Sequence, residues 1–290
     1  MKIGTTLNKI RKNLQLTQKQ LSDGIMTQGA YSKIEKNYLQ VNAEQLIQLL
    51  SKMNISVNEF TYIMNDYNSN EKQSIIHSFT SLDFGNIALL QNHLRRIENY
   101  LSIEQDPFIE SLQQIYKAII ILQREKDILK ARKIISSIWE KMQKLDQWYI
   151  NDFELLNAIL FLFPLEVAKG ITYTALKRLN KYTHYEQDLT YLKIYFNINL
   201  SMPYIEARQF EECLQLLEKT EAEYIQKMNY KSTAILFERK AICLFYLHQP
   251  YEIELNKMEQ LLHIYKDTDT NALLKMEFNL LTKKNEMENC

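Results

Sequence analysis

Side chains able to do bond-making chemistry are thinly spread along this sequence. The five histidines, His77, His93, His184, His248 and His263, never fall four residues apart, and no HExxH or Cys/His cluster occurs. That removes the usual basis for a zinc site. Cys213, Cys243 and Cys290 form no C-x-x-C pair, and the first two sit among apolar residues, where they read as small buried hydrophobes with reduced thiols. There is no glycine-rich phosphate loop, nucleophile elbow or paired carboxylates, so the sequence predicts no catalysis, no cofactor and no metal. What remains is charge. Residues 1–40 hold seven bases against two acids, a net +5, in a chain of 290 residues whose formal charge is zero. A basic head on an acidic body is the asymmetry expected when one module meets phosphate and the other does not.

The elements that must carry those charges are helical. Only five Gly and four Pro occur, which disfavours turn-rich β architectures and predicts an all-α chain. Leu7, Ile10 and Leu14, then Leu21 and Ile25, follow helical spacing. Thr17 with Gln20 three residues on has the capping-box pattern, Gly24 closes that short helix, and Thr27, Asn42 and Ser56 each stand before a further helix. Five short helices in 65 residues, the second and third joined by a tight turn, outline a helix-turn-helix domain. A recognition helix meets the major groove by its N-terminal end, which puts Thr27, Gln28, Gly29, Ser32 and Lys33 at the base edges. Gln28 has the bidentate amide for adenine, and Lys33 can reach guanine O6 and N7. Lys9, Lys12, Lys19 and Lys36 supply attraction to phosphate without regard to sequence.

The run Leu16-Thr-Gln-Lys-Gln-Leu-Ser-Asp-Gly-Ile-Met-Thr-Gln-Gly-Ala-Tyr-Ser-Lys-Ile-Glu-Lys36 resembles the helix-turn-helix of phage-repressor (Xre-like) proteins, and within them the Rgg-type (Rgg/GadR/MutR) transcriptional regulators. Met53-Asn-Ile-Ser-Val-Asn-Glu-Phe60 is similar to the junction of the fourth and fifth helices of that class. The resemblance implies that Gln18 holds a backbone phosphate and that Arg11 and Glu35 form an internal salt bridge. Tyr31 departs from the pattern, which has a small aliphatic residue there. Its ring is expected in the domain core with the hydroxyl at the rim.

Residues 66–72 are the most polar uninterrupted stretch and read as a linker between a 1–65 domain and a 73–290 domain. Beyond it, helices are predicted at 73–81, 83–101, 106–124, 127–146, 151–162, 164–181, 185–201, 206–227, 230–247, 250–266 and 269–285. Four segments share a look. Aligning Ala131, Ala168, Cys213 and Leu255 gives spacings of 37, 45 and 42, close to helical-pair repeats. The segment from Ala207 to Lys219 is similar to a tetratricopeptide helix, so a tetratricopeptide-like solenoid with a concave face is expected. The Rgg-type resemblance extends here more weakly and implies a short hydrophobic signalling peptide in that groove. Asn157 and Asn197, asparagines in apolar helices, and the cations Arg178 and Lys240 are the candidate peptide contacts.

The apolar stretch Phe153 to Phe163 is about half the length a membrane span needs. The start, Met1-Lys2-Ile3-Gly4, lacks an apolar leader pattern. A cytoplasmic location with no membrane partner is therefore expected. The leading expectation is a homodimeric regulator on a palindromic operator in double-stranded DNA, answering to a peptide. A helical-repeat interaction scaffold and a phage-type repressor without a peptide are the alternatives.

Overall fold

The computed structural model describes residues 2–80 and 86–283, and every regular element in them is helical. Cys290, and the outermost residues of the helices expected at 83–101 and 269–285, lie outside the described residues. The chain divides into two compact units, 1–79 and 80–290.

The first unit holds α1 (Ile3–Asn13), α2 (Gln18–Ser22), α3 (Gln28–Glu35), α4 (Ala43–Lys52), α5 (Val57–Met64) and most of α6 (Glu71–Thr80). Caps set these boundaries. Thr17 and Gln20 form the reciprocal capping box of α2, and Thr27, Asn42 and Ser56 each accept the N3 backbone N–H of α3, α4 and α5. Each cap satisfies one of the donors that a helix start leaves without a partner. Leu7, Ile10, Leu21, Tyr31, Ile34, Leu49, Leu50, Met53, Phe60 and Ile63 make one core from five helices. The polar stretch expected as a linker spans the gap between α5 and α6, with Glu71 and Lys72 already in α6. The boundary between units falls at 79/80, at the end of that helix.

The second unit runs α7 (Ile87–Leu101), α8 (Pro107–Glu125), α9 (Ile128–Met142), α10 (Ile150–Ile159), α11 (Leu165–Leu179), α12 (Thr190–Glu206), α13 (Phe210–Tyr224), α14 (Tyr230–Tyr246), α15 (Glu252–Ile264) and α16 (Thr268–Lys283). Most helices adjacent in sequence pack against one another, α10 and α11 excepted, and the even-numbered ones also touch in succession: α8 on α10, α10 on α12, α12 on α14, α14 on α16. The result is two layers. Ala131, Ala168, Cys213 and Leu255 are each the fourth residue of α9, α11, α13 and α15, all in the odd-numbered layer. The drifting period is thus a real repeat whose loops differ in length.

Two boundaries differ from the sequence expectation for identifiable reasons. The helix expected to reach residue 146 stops at Met142, whose carbonyl accepts the Trp148 indole N–H at 2.9 Å. The helix expected to end at Ser201 continues through Pro203 to Glu206. Proline lacks only one N–H, and here it lies in the last turn, where Ala207 still donates to its carbonyl.

Candidate functional site

In the first unit, α3 presents Gln28, Gly29 and Lys33 fully to solvent and Ser32 half-buried, with Lys36 exposed just beyond its end. None of Gln28, Ser32, Lys33 or Lys36 makes a side-chain hydrogen bond or ion pair within the described residues. Thr27 accepts the Ala30 N–H at 3.3 Å and keeps its own proton to donate. A Cβ placed on Gly29 would meet nothing within 4 Å, and its φ is not in the left-handed region. The fold therefore has no need of glycine here. Lys12 and Lys19 are exposed on α1 and α2.

Behind that face is a buried ionic knot. Arg11 Nε donates to Glu35 Oε1 at 2.5 Å and Nη2 to Oε2 at 3.0 Å, the salt bridge that the resemblance implies. Asn8 Nδ2 (2.6 Å) and Gln18 Nε2 (2.8 Å) donate to the same Oε2. Gln18, expected to hold phosphate, thus turns its side-chain amide inward and ties α2 to α3. Burial, the largest influence, pushes the Glu35 carboxyl up. The hydrogen bonds from Arg11, Gln18 and Asn8 outweigh it and hold the group at about 2. Tyr31 corrects the expectation of a hydroxyl at the rim. It is fully buried, its hydroxyl lies beside the Arg11–Glu35 pair without a hydrogen bond of good geometry, and burial raises its pKa. Gly4 carried no signal at the level of sequence either. A Cβ there would stand 1.9 Å from the Ile34 carbonyl oxygen, so only glycine lets α1 lie this close to α3. Asn37, at φ 60° after α3, accepts the Gly4 N–H and donates to Thr5 Oγ1, locking the two helices together.

In the second unit, the wheel of α12, at 100° per residue, shows two half-exposed faces. One carries Tyr191, Tyr195, Asn199 and Met202, the other Lys193, Asn197 and Tyr204. The first face meets the even-numbered layer. The Tyr191 hydroxyl donates to Glu154 Oε1 of α10 at 2.6 Å, and Asn199 Nδ2 donates to both Oδ1 (3.0 Å) and the carbonyl (3.1 Å) of Asn157. The Tyr195 hydroxyl accepts from Asn229 Nδ2 at 2.8 Å, and Met202 lies against Arg239 of α14, which donates to Glu277 of α16 at 2.9 Å. A polar ladder therefore crosses α10, α12, α14 and α16 on one side of their layer.

Of the four residues expected to hold a peptide, only Asn157 joins this ladder. Asn197 sits on the opposite face of α12 beside Lys193, which donates to Asn180 just beyond α11. Arg178, on α11 in the other layer, donates to the Leu145 carbonyl at 3.1 Å and stacks 4.4 Å from the Trp148 ring centroid. Lys240 turns to the other layer as well, pairing with Glu221 of α13 at 2.7 Å and Glu254 of α15 at 3.6 Å. Glu154, Asn199 and Arg239 are the ladder residues that the sequence reading missed. Asn199, two residues from Asn197, lay within reach of wheel counting, but which face of α12 meets α10 did not. Next to Arg239, Glu238 is wholly buried, and burial pushes its carboxyl up to about 8 while Arg239 opposes.

Among the described residues no group of three or more His, Cys, Asp or Glu is placed to hold a metal, and no helix is long and apolar enough to cross a membrane.

A helix-turn-helix domain followed by a two-layered helical array is the class that these units define. Residues 7–60 match the helix-turn-helix family model. No curated protein matches the chain in sequence. Solved structures match it over nearly its whole length. One is Bacillus thuringiensis PlcR in complex with the peptide PapR7 and DNA, 20% identical, TM-score 0.69, covering 94% of this chain and 98% of that one. Another is the SHP pheromone receptor Rgg2 of Streptococcus dysgalactiae, 18% identical, TM-score 0.66, covering 98% of this chain and 100% of that one. A third is the PrgX/cCF10 complex, 20% identical, TM-score 0.61, covering 97% and 92%. At such identities the likeness is one of fold.

Proposed function

We propose that this chain is a DNA-binding transcriptional regulator, active as a homodimer in the cytoplasm, whose hold on its operator changes when a short peptide enters the groove of the second unit. The observation that carries the reading is α3: it exposes Gln28, Gly29 and Lys33 with Ser32 half-buried beside them, and among the described residues the chain itself uses none of the side chains of Gln28, Ser32 and Lys33. Gln28 and Lys33 read base edges. Lys12, Lys19 and Lys36 meet phosphate, and a glycine at position 29 permits close approach of a duplex. Two copies are needed because one such helix covers only a few base pairs. The matched folds include one in complex with a peptide and DNA and one named as a pheromone receptor, which supports a peptide as effector.

The peptide contacts are Asn157 and Asn199, the facing amides of the ladder, with Tyr191, Tyr195 and Arg239 beside them. An asparagine both donates and accepts, as a peptide backbone requires. Arg178 and Lys240 position helices instead, and Asn197 faces away. The peptide acts by linkage: it shifts the operator affinity only by the difference of its affinities for two arrangements of the dimer.

Fluorescence-anisotropy titration against the DNA upstream of the protein's own gene, with and without conditioned medium of the source organism, tests the reading. Salt-sensitive binding that shifts with medium is the expected result. Binding indifferent to medium means a repressor without a peptide, and no binding to any fragment defeats the regulator reading.

A further inference from the structure

Glu154 is a half-buried carboxylate that no cation of the described residues pairs with. Buried or half-buried ion pairs of this unit lie elsewhere, among them Arg132 with Glu206, Arg239 with Glu277, and Lys240 with Glu221 and Glu254. Its one hydrogen bond among the described residues comes from Tyr191, on Oε1 at 2.6 Å, and Oε2 is left with acceptor capacity. Burial raises this carboxyl above its ordinary value, and the Tyr191 bond lowers it only in part. The fold draws little from the negative charge, since a glutamine would accept the same Tyr191 proton without the cost of partly burying an anion.

The surroundings fit one kind of guest. The Tyr191 ring, whose hydroxyl bonds the carboxylate, packs edge-to-face against Tyr195 with 5.9 Å between ring centroids. Aromatic faces beside an anion attract an ammonium or guanidinium twice over, by the charge and by the ring quadrupole. Asn157, one helical turn further along α10, and its partner Asn199 lie on the same side of the layer.

We propose that this side of α10 and α12 takes a ligand bearing a cationic group, an N-terminal ammonium or a lysine or arginine side chain, and seats that group on Glu154 beside the Tyr191 ring. The proposal rests on the peptide reading of the groove and adds the charge and place of one ligand group. It also makes Glu154 a specificity-determining residue, since a ligand with neutral or acidic ends leaves the carboxylate unpaired in a half-dry site.

Three pools of synthetic seven-residue apolar peptides test it on the full chain: one with free N-terminal ammonium, one N-acetylated, and one N-acetylated with a single internal lysine. Retention by the immobilised protein is read by mass spectrometry, against the wild type, Glu154→Gln and beads without protein. The wild type should retain at least one cationic pool about tenfold or more over the neutral one. Glu154→Gln should erase that preference while keeping the helical circular-dichroism signal and melting of the parent. Preference for the first pool assigns a terminal ammonium, and for the third a side chain. Equal retention of all pools above the bead control overturns the proposal and leaves the peptide groove standing. So does a preference that survives in Glu154→Gln. No retention above beads defeats the peptide reading and this proposal together.

Discussion

Gly29 gives the sharpest separation between what folding needs and what binding needs. It is exposed within α3, and a Cβ would touch nothing in the chain. Gly29→Ala should therefore raise unfolding stability by up to about 1 kcal/mol through helix propensity, and in the same protein weaken operator binding. Thermal melts and anisotropy read the two effects side by side; a variant that binds as well as its parent removes Gly29 from the interface. Gln28→Ala should relax discrimination at one operator position by about 1–3 kcal/mol, whereas Lys12→Ala should weaken every sequence alike. Gly4 is the converse case. Its hypothetical Cβ stands 1.9 Å from the Ile34 carbonyl, so Gly4→Ala should cost about 1–3 kcal/mol or more in overpacking and displace α3. Denaturation and operator binding should then fall together.

At the scale of elements, much was legible because local chemistry fixes it. Thr17, Thr27, Asn42 and Ser56 have side-chain oxygens that cap, and all four cap in the structure. Ala131, Ala168, Cys213 and Leu255 marked equivalent turns of four helices, since small or apolar residues recur where helices press on their neighbours. Spacing could not tell which side of a two-layered array is open. That depends on which helices touch, and so Asn197, Arg178 and Lys240 were as plausible from sequence as Asn157. Gly4 was equally silent, because a close helix crossing joins positions 30 residues apart. Trp148 shows how such a tertiary contact ends a helix. Its indole caps Met142 and its ring packs on Phe153 at 5.8 Å under the Arg178 guanidinium. Trp148→Ala should cost about 3–5 kcal/mol, and Trp148→Phe less, with the Met142 carbonyl left unpaired. Amide hydrogen exchange at the C-terminal end of α9 would show the loosening.

For the whole molecule, the two units should answer pH in opposite senses. Glu35 is held at about 2 in the folded state against 4.5 ordinarily, so its contribution is full above about pH 4.5 and fades as pH falls toward 2. Glu238 is raised to about 8, so its contribution is full below about pH 4.5 and is lost as pH rises through 8. Hydrogen exchange across the full chain should show acid loosening α1 and α3 while alkali loosens α14 and α16. Glu35→Gln and Glu238→Gln should each flatten one limb, and Glu238→Gln should raise stability at pH 8. A single transition with one common pH profile would show that neither group governs its unit. A second prediction concerns the dimer on DNA. Four to eight phosphate contacts give a log–log salt slope of roughly −4 to −7, and a slope near zero would exclude the basic face of the first unit as the contact.

The pair Asn157 and Asn199 has one further consequence. Each ligand-free molecule already closes this clasp on itself, so a guest gains from the site only by exchange: it must bring both a donor and an acceptor to open it. Fatty acids, detergents and other greasy strangers have no such amide to offer and leave the clasp shut. A peptide backbone carries both groups and can open the clasp where an oily molecule cannot.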